Sequence, residues 1–365
     1  MPNQLFHQIA LSMVPNIGPV LARNLLAYCG TAEEVFRASN RHLKSIPQIG
    51  SHVIEEITSF KAYDVVEKEL RFIEDNQIHV HLFNSKDYPF RLKHVHSAPF
   101  LIYQKGETDL NARRIVAVVG TRKNSMYGKT LTEALVESLK PYNPIIVSGL
   151  AIGVDSIAHK SAVQHRLQTI GVLGNGLDRI YPSRNTTLSQ KILDTQGSLL
   201  SELPTGSLPD RENFPKRNRI VAGMADVVVV VESTETGGSM ITANLAFDYN
   251  RDVCTFPGRV GDINAKGCHK LIKQNKAVLI EDGNDLAQVM NWIDDKQPVA
   301  QISLPLTLSK EEQRIFEALQ LHGTVHVDWL ANQLRMRQHE LSTYLLQMEM
   351  EMVIRSLPGN RVETV

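Results

Sequence analysis

The sequence predicts an α/β protein: a doubly wound, mostly parallel sheet, with a helical domain ahead of it and a winged helix behind it. Three observations carry this. Between about Tyr88 and Trp292, short runs of Val, Ile and Leu alternate with helical segments, as strands buried on both faces of a parallel sheet do. Before residue 75 the apolar residues recur at helical spacing. After residue 309, three helical segments lead into two short strands around a Pro358-Gly359-Asn360 turn. At 365 residues the chain is long enough for two or three domains.

The first domain, residues 1–75, holds two similar patterns, Val14-Pro15-Asn16-Ile17-Gly18-Pro19-Val20 and Ile46-Pro47-Gln48-Ile49-Gly50-Ser51-His52-Val53. Each is an apolar-Gly turn followed by helical periodicity, the look of a helix-hairpin-helix or SAM-like pair. In such hairpins glycine permits a tight turn, and amides at the next helix's start can hold a DNA phosphate. A DNA-binding hairpin normally carries Lys or Arg after the glycine; Pro19-Val20 and Ser51-His52 follow here, and two αα-hairpins packed on each other explain the pattern as well.

In the core, residues 80–295, strands are expected over 116–119, 145–147, 169–173, 198–200, 227–231, 253–256 and 277–280. Helices are expected over 128–139, 154–165, 185–193, 217–224, 239–249 and 267–274, with Asn185 as an N-cap. In this architecture ligands sit at the carboxyl ends of the strands, where the glycine turns fall. Residues 296–308 contain Pro298 and Pro305 without periodicity and read as a linker. Ser309-Lys310-Glu311-Glu312 is a capping-box start to the last domain, 309–365, with helices over 310–321, 327–334 and 338–350. A recognition helix wants cations and amides. Glu340, Glu349 and Glu351 lie on the candidate and the domain is slightly acidic, which favours a protein-interaction role over DNA readout.

Lys+Arg and Asp+Glu are equal at 39 each, so any nucleic-acid contact is a local groove rather than a general coating. Cys29, Cys254 and Cys268 form no Cys-x-x-Cys pair; neither a zinc site nor a disulfide framework is expected, and reduced thiols in a cytoplasmic protein are. Met1-Pro2-Asn3-Gln4 lacks the basic start of a signal peptide. The longest apolar strand, 227–231, is too short to cross a membrane.

The densest chemical signal is Phe214-Pro215-Lys216-Arg217-Asn218-Arg219, three cations within four residues at a helix start, with Arg211 just before. Cations are disfavoured there unless an anion compensates. The cations suit a sugar-phosphate backbone and Phe214 can stack a base; the alternative is a core Phe with arginines paired to acids such as Glu202 and Glu232. Gly120-Thr121-Arg122 follows a strand but is neither Gly-x-Gly-x-x-Gly nor a Walker loop, and Arg122 at the strand end would face the crevice. In Ser148-Gly149-Leu150-Ala151-Ile152-Gly153 the small residues let amides approach a ligand. Asp155 and His159, four apart, are too few for a metal site and read as a hydrogen-bonded structural pair. Gly174-Asn175-Gly176 is weak evidence of a nucleotide turn. Gly237-Gly238-Ser239 opens a helix whose free amides suit a phosphate or carboxylate.

On these residues the sequence resembles the DprA/Smf family of bacterial DNA-processing proteins. The matching runs are Val118-Val119-Gly120-Thr121-Arg122, Ser148 to Asp155, Tyr181-Pro182, Ser201-Glu202, Phe214 to Arg219, Gly237-Gly238-Ser239 with Thr242-Ala243, and Pro257-Gly258. They extend in order across the whole core. Thr121 stands where the family often has Ser and keeps the hydroxyl. The resemblance implies an extended Rossmann-like core that binds single-stranded DNA without strong sequence preference. It also implies loading of RecA onto incoming DNA in natural transformation, displacing or sharing with single-strand-binding protein, and a homodimer. Carried onto this chain, Arg122, Arg211, Phe214 and Lys216 would line the groove, and the loops at Gly149 and Gly237 to Ser239 would hold phosphates. The expected DNA-binding set is therefore Arg122, Ser148, Gly149, Arg211, Phe214, Lys216, Arg217, Asn218, Arg219, Gly237, Gly238 and Ser239, with no catalytic residue, metal or cofactor.

The leading expectation is a non-enzymatic recombination mediator, since no nucleophile-base-orienter set is visible. The alternative is a nucleotide-binding or nucleotide-hydrolysing enzyme of the lysine-decarboxylase-like Rossmann group. Those enzymes resemble Pro-Gly-Gly-x-Gly-Thr with a following Glu; this chain has Glu235-Thr236-Gly237-Gly238-Ser239 and no Pro before the glycines. A duplex-DNA regulator acting through the winged helix is a third reading, disfavoured by the acidic balance.

Overall fold

The computed structural model describes residues 2–292, 308–351 and 353–365. The chain opens with helices α1 (Pro2–Met13), α2 (Pro19–Cys29), α3 (Ala32–Arg37), α4 (Asn40–Lys44), α5 (Ser51–Ser59) and α6 (Tyr63–Asp75). The two repeated patterns form turns of one design. Asn16 and Gln48 take left-handed backbones, with φ of 60° and 66°, and the glycine two residues later is extended, with φ of −78° and −87°. The left-handed step therefore falls on the residue two before the glycine, Asn16 (a type that tolerates it) in one turn and Gln48 in the other, and not on the glycine. The helices are not a free-standing unit. Val35, Leu43, Ile54 and Ile57 share one apolar cluster with Tyr103, Leu173 and Leu199 of the core, and the buried Glu69 accepts from Thr205 N at 2.9 Å.

The core runs β1 (His79–Leu82), α7 (Phe90–Lys93), β2 (Leu101–Gly106), β3 (Ile115–Val119), α8 (Met126–Ser138), β4 (Ile145–Ser148), α9 (Val154–Gln164), β5 (Thr169–Val172), α10 (Thr186–Asp194), β6 (Ser198–Ser201), α11 (Asn213–Met224), β7 (Val227–Val230), α12 (Gly238–Asp248), β8 (Asp252–Thr255), α13 (Lys266–Lys273), β9 (Val278–Leu279) and α14 (Gly283–Val289). The sheet order is β1-β2-β6-β5-β4-β3-β7-β8-β9. From β6 to β9 every pair is parallel; β1 and β2 extend the β6 edge antiparallel. Strand order reverses between β3 and β7, so a crevice opens at their carboxyl ends. Alternate strand residues serve opposite faces: Ile115, Ala117 and Val119 face α11 and α12, whereas Val116 and Val118 face α8 and α9.

The doubly wound sheet is as expected, with three local differences. β1 and β2 have no counterpart among the strands expected from the sequence. α11 begins at Asn213, four residues before the expected start, because Pro215 sits in the first turn, where its missing N–H has no intrahelical partner to lose. Asn185 precedes α10 but caps nothing; its amide donates to the Leu150 carbonyl at 2.8 Å and to Ser156 Oγ at 2.9 Å. Among the described residues no helix is long and apolar enough to cross a membrane.

The expected linker over 296–308 lies, apart from residue 308, outside the described residues. Beyond it stand α15 (Lys310–His322), β10 (Val325–His326), α16 (Val327–Leu334), α17 (Gln338–Met350), β11 (Ile354–Leu357) and β12 (Arg361–Thr364). Ser309 and Glu312 form the capping box. This winged helix docks through buried charge. Arg251 donates to Asp328 at 2.9 Å, with both side chains under 3% exposed, and to the Arg91 carbonyl at 2.7 Å. Arg91 in turn pairs with Asp226 at 2.7 Å, which also accepts the Ile115 amide. The wing itself is engaged: Gly359 N donates to Asp252 at 2.6 Å, and Arg361 donates to the Met290 carbonyl at 2.8 Å. Asp226 and Asp252 mark the amino ends of β7 and β8, so the winged helix sits at the end of the sheet opposite the crevice. Burial and the neighbouring arginines hold the His326 imidazole at this junction well below its usual range.

Asp328→Ala is expected to cost about 3–5 kcal/mol, because it leaves Arg251 buried without its counter-charge. Arg337→Ala, which breaks an exposed pair with Glu340 on the same domain, is expected to stay within about 0.5 kcal/mol. Urea denaturation of the two variants beside wild type checks both; equal small losses would show that the buried pair does not hold the junction.

Candidate nucleic-acid interface

Three loops meet at the switch point. The turn after β3 is tied to the turn after β7 by Thr121 N donating to the Glu232 carbonyl at 2.8 Å, and to the start of α9 by Val154 N donating to the Thr121 carbonyl at 3.3 Å. Gly153 has φ +86°, and a Cβ there would lie 2.3 Å from the Thr121 carbonyl. Small residues thus serve loop-on-loop packing here.

Each loop leads to a helix whose first amides seek an acceptor. At α8 the acceptor is internal: Ser125 caps the helix and the buried Glu232 accepts from Ser125 N at 2.9 Å. At α9 Asp155 lies in the first turn and accepts the amides of Gly149 and Ala151 at 3.2 and 3.3 Å. Burial pushes the Asp155 carboxyl above its usual range, opposed by the charge of Arg217 and by those amides. α12 differs. It has no side-chain cap and no acid in its first turn, and the Gly238 and Ser239 amides have no hydrogen-bond partner among the described residues. The start of α12, with neither cap nor acid, is the helix start at this crevice best suited to an anion.

The cationic run on α11 splits in two. Arg217 is only 6% exposed; it donates to the Val172 carbonyl at 2.6 Å, and a Cβ on Gly149 would lie 1.9 Å from its Nη1. Arg219 bonds Glu202 and the Ser97 carbonyl; burial raises the Glu202 carboxyl, against the pull of Arg219. These two members of the expected set are thus engaged inside the fold. Ser148 and Gly149 of that set are engaged internally as well: Ser148 Oγ donates to the Val118 carbonyl at 2.6 Å, and Gly149 leaves room for Arg217 while its amide is held by Asp155. Gly237 N donates to Thr234, and Ser239 Oγ to Ser233, at 3.2 and 2.8 Å, so of that turn only the Gly238 and Ser239 amides are open. Asp155 and His159 are not each other's partners either. His159 Nδ1 lies 2.7 Å from Thr169 Oγ1, and burial, aided by Arg217, lowers its pKa to about 3.

What faces solvent is a smaller set. Arg122 is exposed and its guanidinium lies 5.5 Å from the centre of the Phe214 ring. Phe214, half-buried, rests against Gly174 and meets the ring of Tyr181 at 5.8 Å and 34°. Tyr181 is 46% exposed and precedes a cis Pro182. Guanidinium, phenyl and phenol thus line up as one platform. Arg211 and Lys216 are exposed nearby in sequence, and Asn218 reaches the Gly238 carbonyl at 3.5 Å, joining α11 to the open start of α12. Tyr181 is absent from the site expected on sequence grounds. Its motif is visible there, but its neighbour on the platform lies 33 residues away.

Fold and site together define a class: a doubly wound Rossmann-like core with an aromatic-cationic crevice and an appended winged helix. The model of DNA recombination-mediator protein A matches residues 79–291, and that of the DprA winged helix domain matches 300–360. The chain belongs to the DprA/Smf family of DNA-processing proteins. It is 35% identical over 288 residues to Protein Smf of Synechocystis sp., covering 77% of this chain and 71% of that one. Among solved structures, DNA processing protein A from Streptococcus pneumoniae superposes with a TM-score of 0.66 at 31% identity, covering 79% of this chain and 98% of that one. DNA processing protein A from Helicobacter pylori, reported for its single-stranded DNA binding mode, gives 0.53 at 29% identity, covering 59% and 96%.

Two motif glycines that look alike in sequence are expected to respond oppositely. Gly149→Ala drives a methyl into Arg217 and is expected to cost about 3 kcal/mol or more. Gly238→Ala meets nothing within 4 Å and is expected to fold with stability within about 0.5 kcal/mol of wild type. Thermal unfolding of the two variants decides it.

Proposed function

We propose that this protein binds single-stranded DNA along the crevice, without strong sequence preference, and acts as a recombination mediator that protects incoming DNA and loads RecA during natural transformation. The carrying observation is the Arg122–Phe214–Tyr181 platform beside the uncapped start of α12. Unpaired bases offer π-faces that stack on such a platform, and phosphates suit the free amides of Gly238 and Ser239 with Lys216 and Arg211 alongside. The match to DNA recombination-mediator protein A and the binding mode reported for the Helicobacter pylori protein support this reading. Net charge of zero fits a narrow groove rather than a duplex coat. The winged helix, its wing engaged by the core, is assigned to protein contact. The protein works in the cytoplasm as a homodimer, with RecA as partner and single-strand-binding protein displaced or sharing the strand.

The role is one of binding, not bond chemistry. Glu235, beside the glycine turn, is exposed and pairs with Lys270 at 3.1 Å rather than with a nucleophile. Titration with single-stranded and duplex DNA of equal length over a range of salt tests the proposal. A clear preference for the single strand is expected, and equal affinity for duplex would overturn it. Release of free base from a nucleoside monophosphate would reinstate the hydrolase reading.

Separate variants test the two halves of the groove. Arg122→Ala with Lys216→Ala is expected to flatten the dependence of log K on log salt by roughly 0.7 for each phosphate no longer neutralised. Phe214→Ala or Tyr181→Ala is expected to weaken binding by about 1–3 kcal/mol with the slope unchanged. Full affinity and slope in the double variant would remove the groove from this face.

A further inference from the structure

A second cluster of chemically active side chains lies outside the crevice, at the sheet edge. His79 and His81 are two residues apart on β1 and so leave the same face of the strand. Asp87, on the following loop, lies across them. The two imidazole rings are 4.3 Å apart, centre to centre. Asp87 Oδ2 is 2.6 Å from His79 Nε2 and 2.9 Å from His81 Nδ1, and one nitrogen or oxygen from each residue falls within 4.8 Å of the others.

The neighbours of His81 place its proton. Gln104 donates its amide nitrogen to the Thr108 carbonyl at 2.8 Å and to Ser198 Oγ at 2.9 Å. Its oxygen therefore faces His81, 2.6 Å from Nε2, and that acceptor requires the N–H to be on Nε2. The lone pair is left on Nδ1, which is buried, makes no well-directed hydrogen bond, and lies 2.9 Å from a carboxylate oxygen that is itself an acceptor. Two facing acceptors are stabilised by a cation held between them. An imidazole fixed through its far nitrogen by an oriented carbonyl oxygen is also the arrangement that prepares a histidine to ligate.

We propose that His79, His81 and Asp87 bind a divalent ion of the zinc class through two imidazole nitrogens and one carboxylate oxygen, with a fourth position open to solvent. Nitrogen-rich donors suit zinc and its borderline neighbours, whereas calcium and magnesium take oxygen ligands. Ligands at ~2.0–2.1 Å from a tetrahedral ion lie roughly 3.4 Å apart, so Asp87 swings outward by less than about 1 Å from its hydrogen-bonded position. Its exposed loop allows that movement. Since, among the described residues, β1 pairs only with β2, the ion ties the sheet's edge strand to the loop that leads into α7.

Calorimetric titration of the full chain with zinc sulfate alone, after stripping with a chelator, tests the site. One ion per chain is expected in wild type. His79→Ala and Asp87→Asn change exposed residues, and each is expected to weaken binding about tenfold or more. Cobalt in place of zinc is expected to give a visible ligand-field band that His79→Ala loses. Stripped variants should unfold at the same urea midpoint as stripped wild type, with zinc raising the midpoint of wild type alone. No binding by wild type, or equal binding by wild type and both variants, would overturn the proposal and leave the cluster a proton-bridged one.

Discussion

Arg217 lies under the crevice floor, donates to the carbonyl that ends β5, and faces the Asp155 carboxylate that holds the amides of Gly149 and Ala151. One guanidinium thereby fixes the first turns of α11 and α9 against the ends of β4 and β5. A charge so deeply buried tolerates few alternative positions, because leaving its partners costs several kcal/mol. The first turn of α11 carries Phe214 and Lys216, so their placement against Gly174 and Tyr181 follows from where Arg217 is anchored. The most basic stretch of the chain thus divides its labour: Arg217 and Arg219 are engaged inside the fold, and Arg211 and Lys216 face solvent.

The same logic separates the three helix starts at the switch point. All three point amides at one crevice, but α8 and α9 arrive with carboxylates of the protein already in place, Glu232 and Asp155. Among the described residues α12 has neither a side-chain cap nor an acid in its first turn, and its Gly238 and Ser239 amides have no acceptor. Beside the uncapped start of α12 lies the aromatic-cationic platform of Arg122, Phe214 and Tyr181. A compact mononucleotide site would instead enclose its ligand.

At the far end of the sheet, Arg251, Asp328, Arg91 and Asp226 form a buried chain of charge between core and winged helix. Buried ion pairs of this kind contribute geometric specificity more than net stability. Here the geometry sets the wing against the core and leaves α17 with Leu346 and Met350 exposed. Core crevice and winged helix are held at opposite ends of the β-strands, so the two surfaces do not overlap.

Much of this is legible in the sequence alone. Unbroken Val, Ile and Leu runs specify strands buried on both faces, and the run 227–231 is a central strand for that reason. The spacing of Gly120, Gly149 and Gly237 after such runs places the crevice, and Ser309 with Glu312 announces its helix. β1 and β2 escape because an antiparallel edge lacks the strand-helix alternation that marks the others; β1, His-Val-His-Leu, is too short and polar to stand out. The charge pattern does not say which arginine turns inward. That depends on Val172, 45 residues from Arg217, on Glu202, 17 residues from Arg219, on Asp155, and on the helix phase set once Pro215 is accepted into the first turn of α11. Composition and local periodicity determined the layers, the switch point and the candidate residues. Tertiary structure decided which donors remain free, because a hydrogen bond to a distant carboxylate leaves no mark on the local sequence.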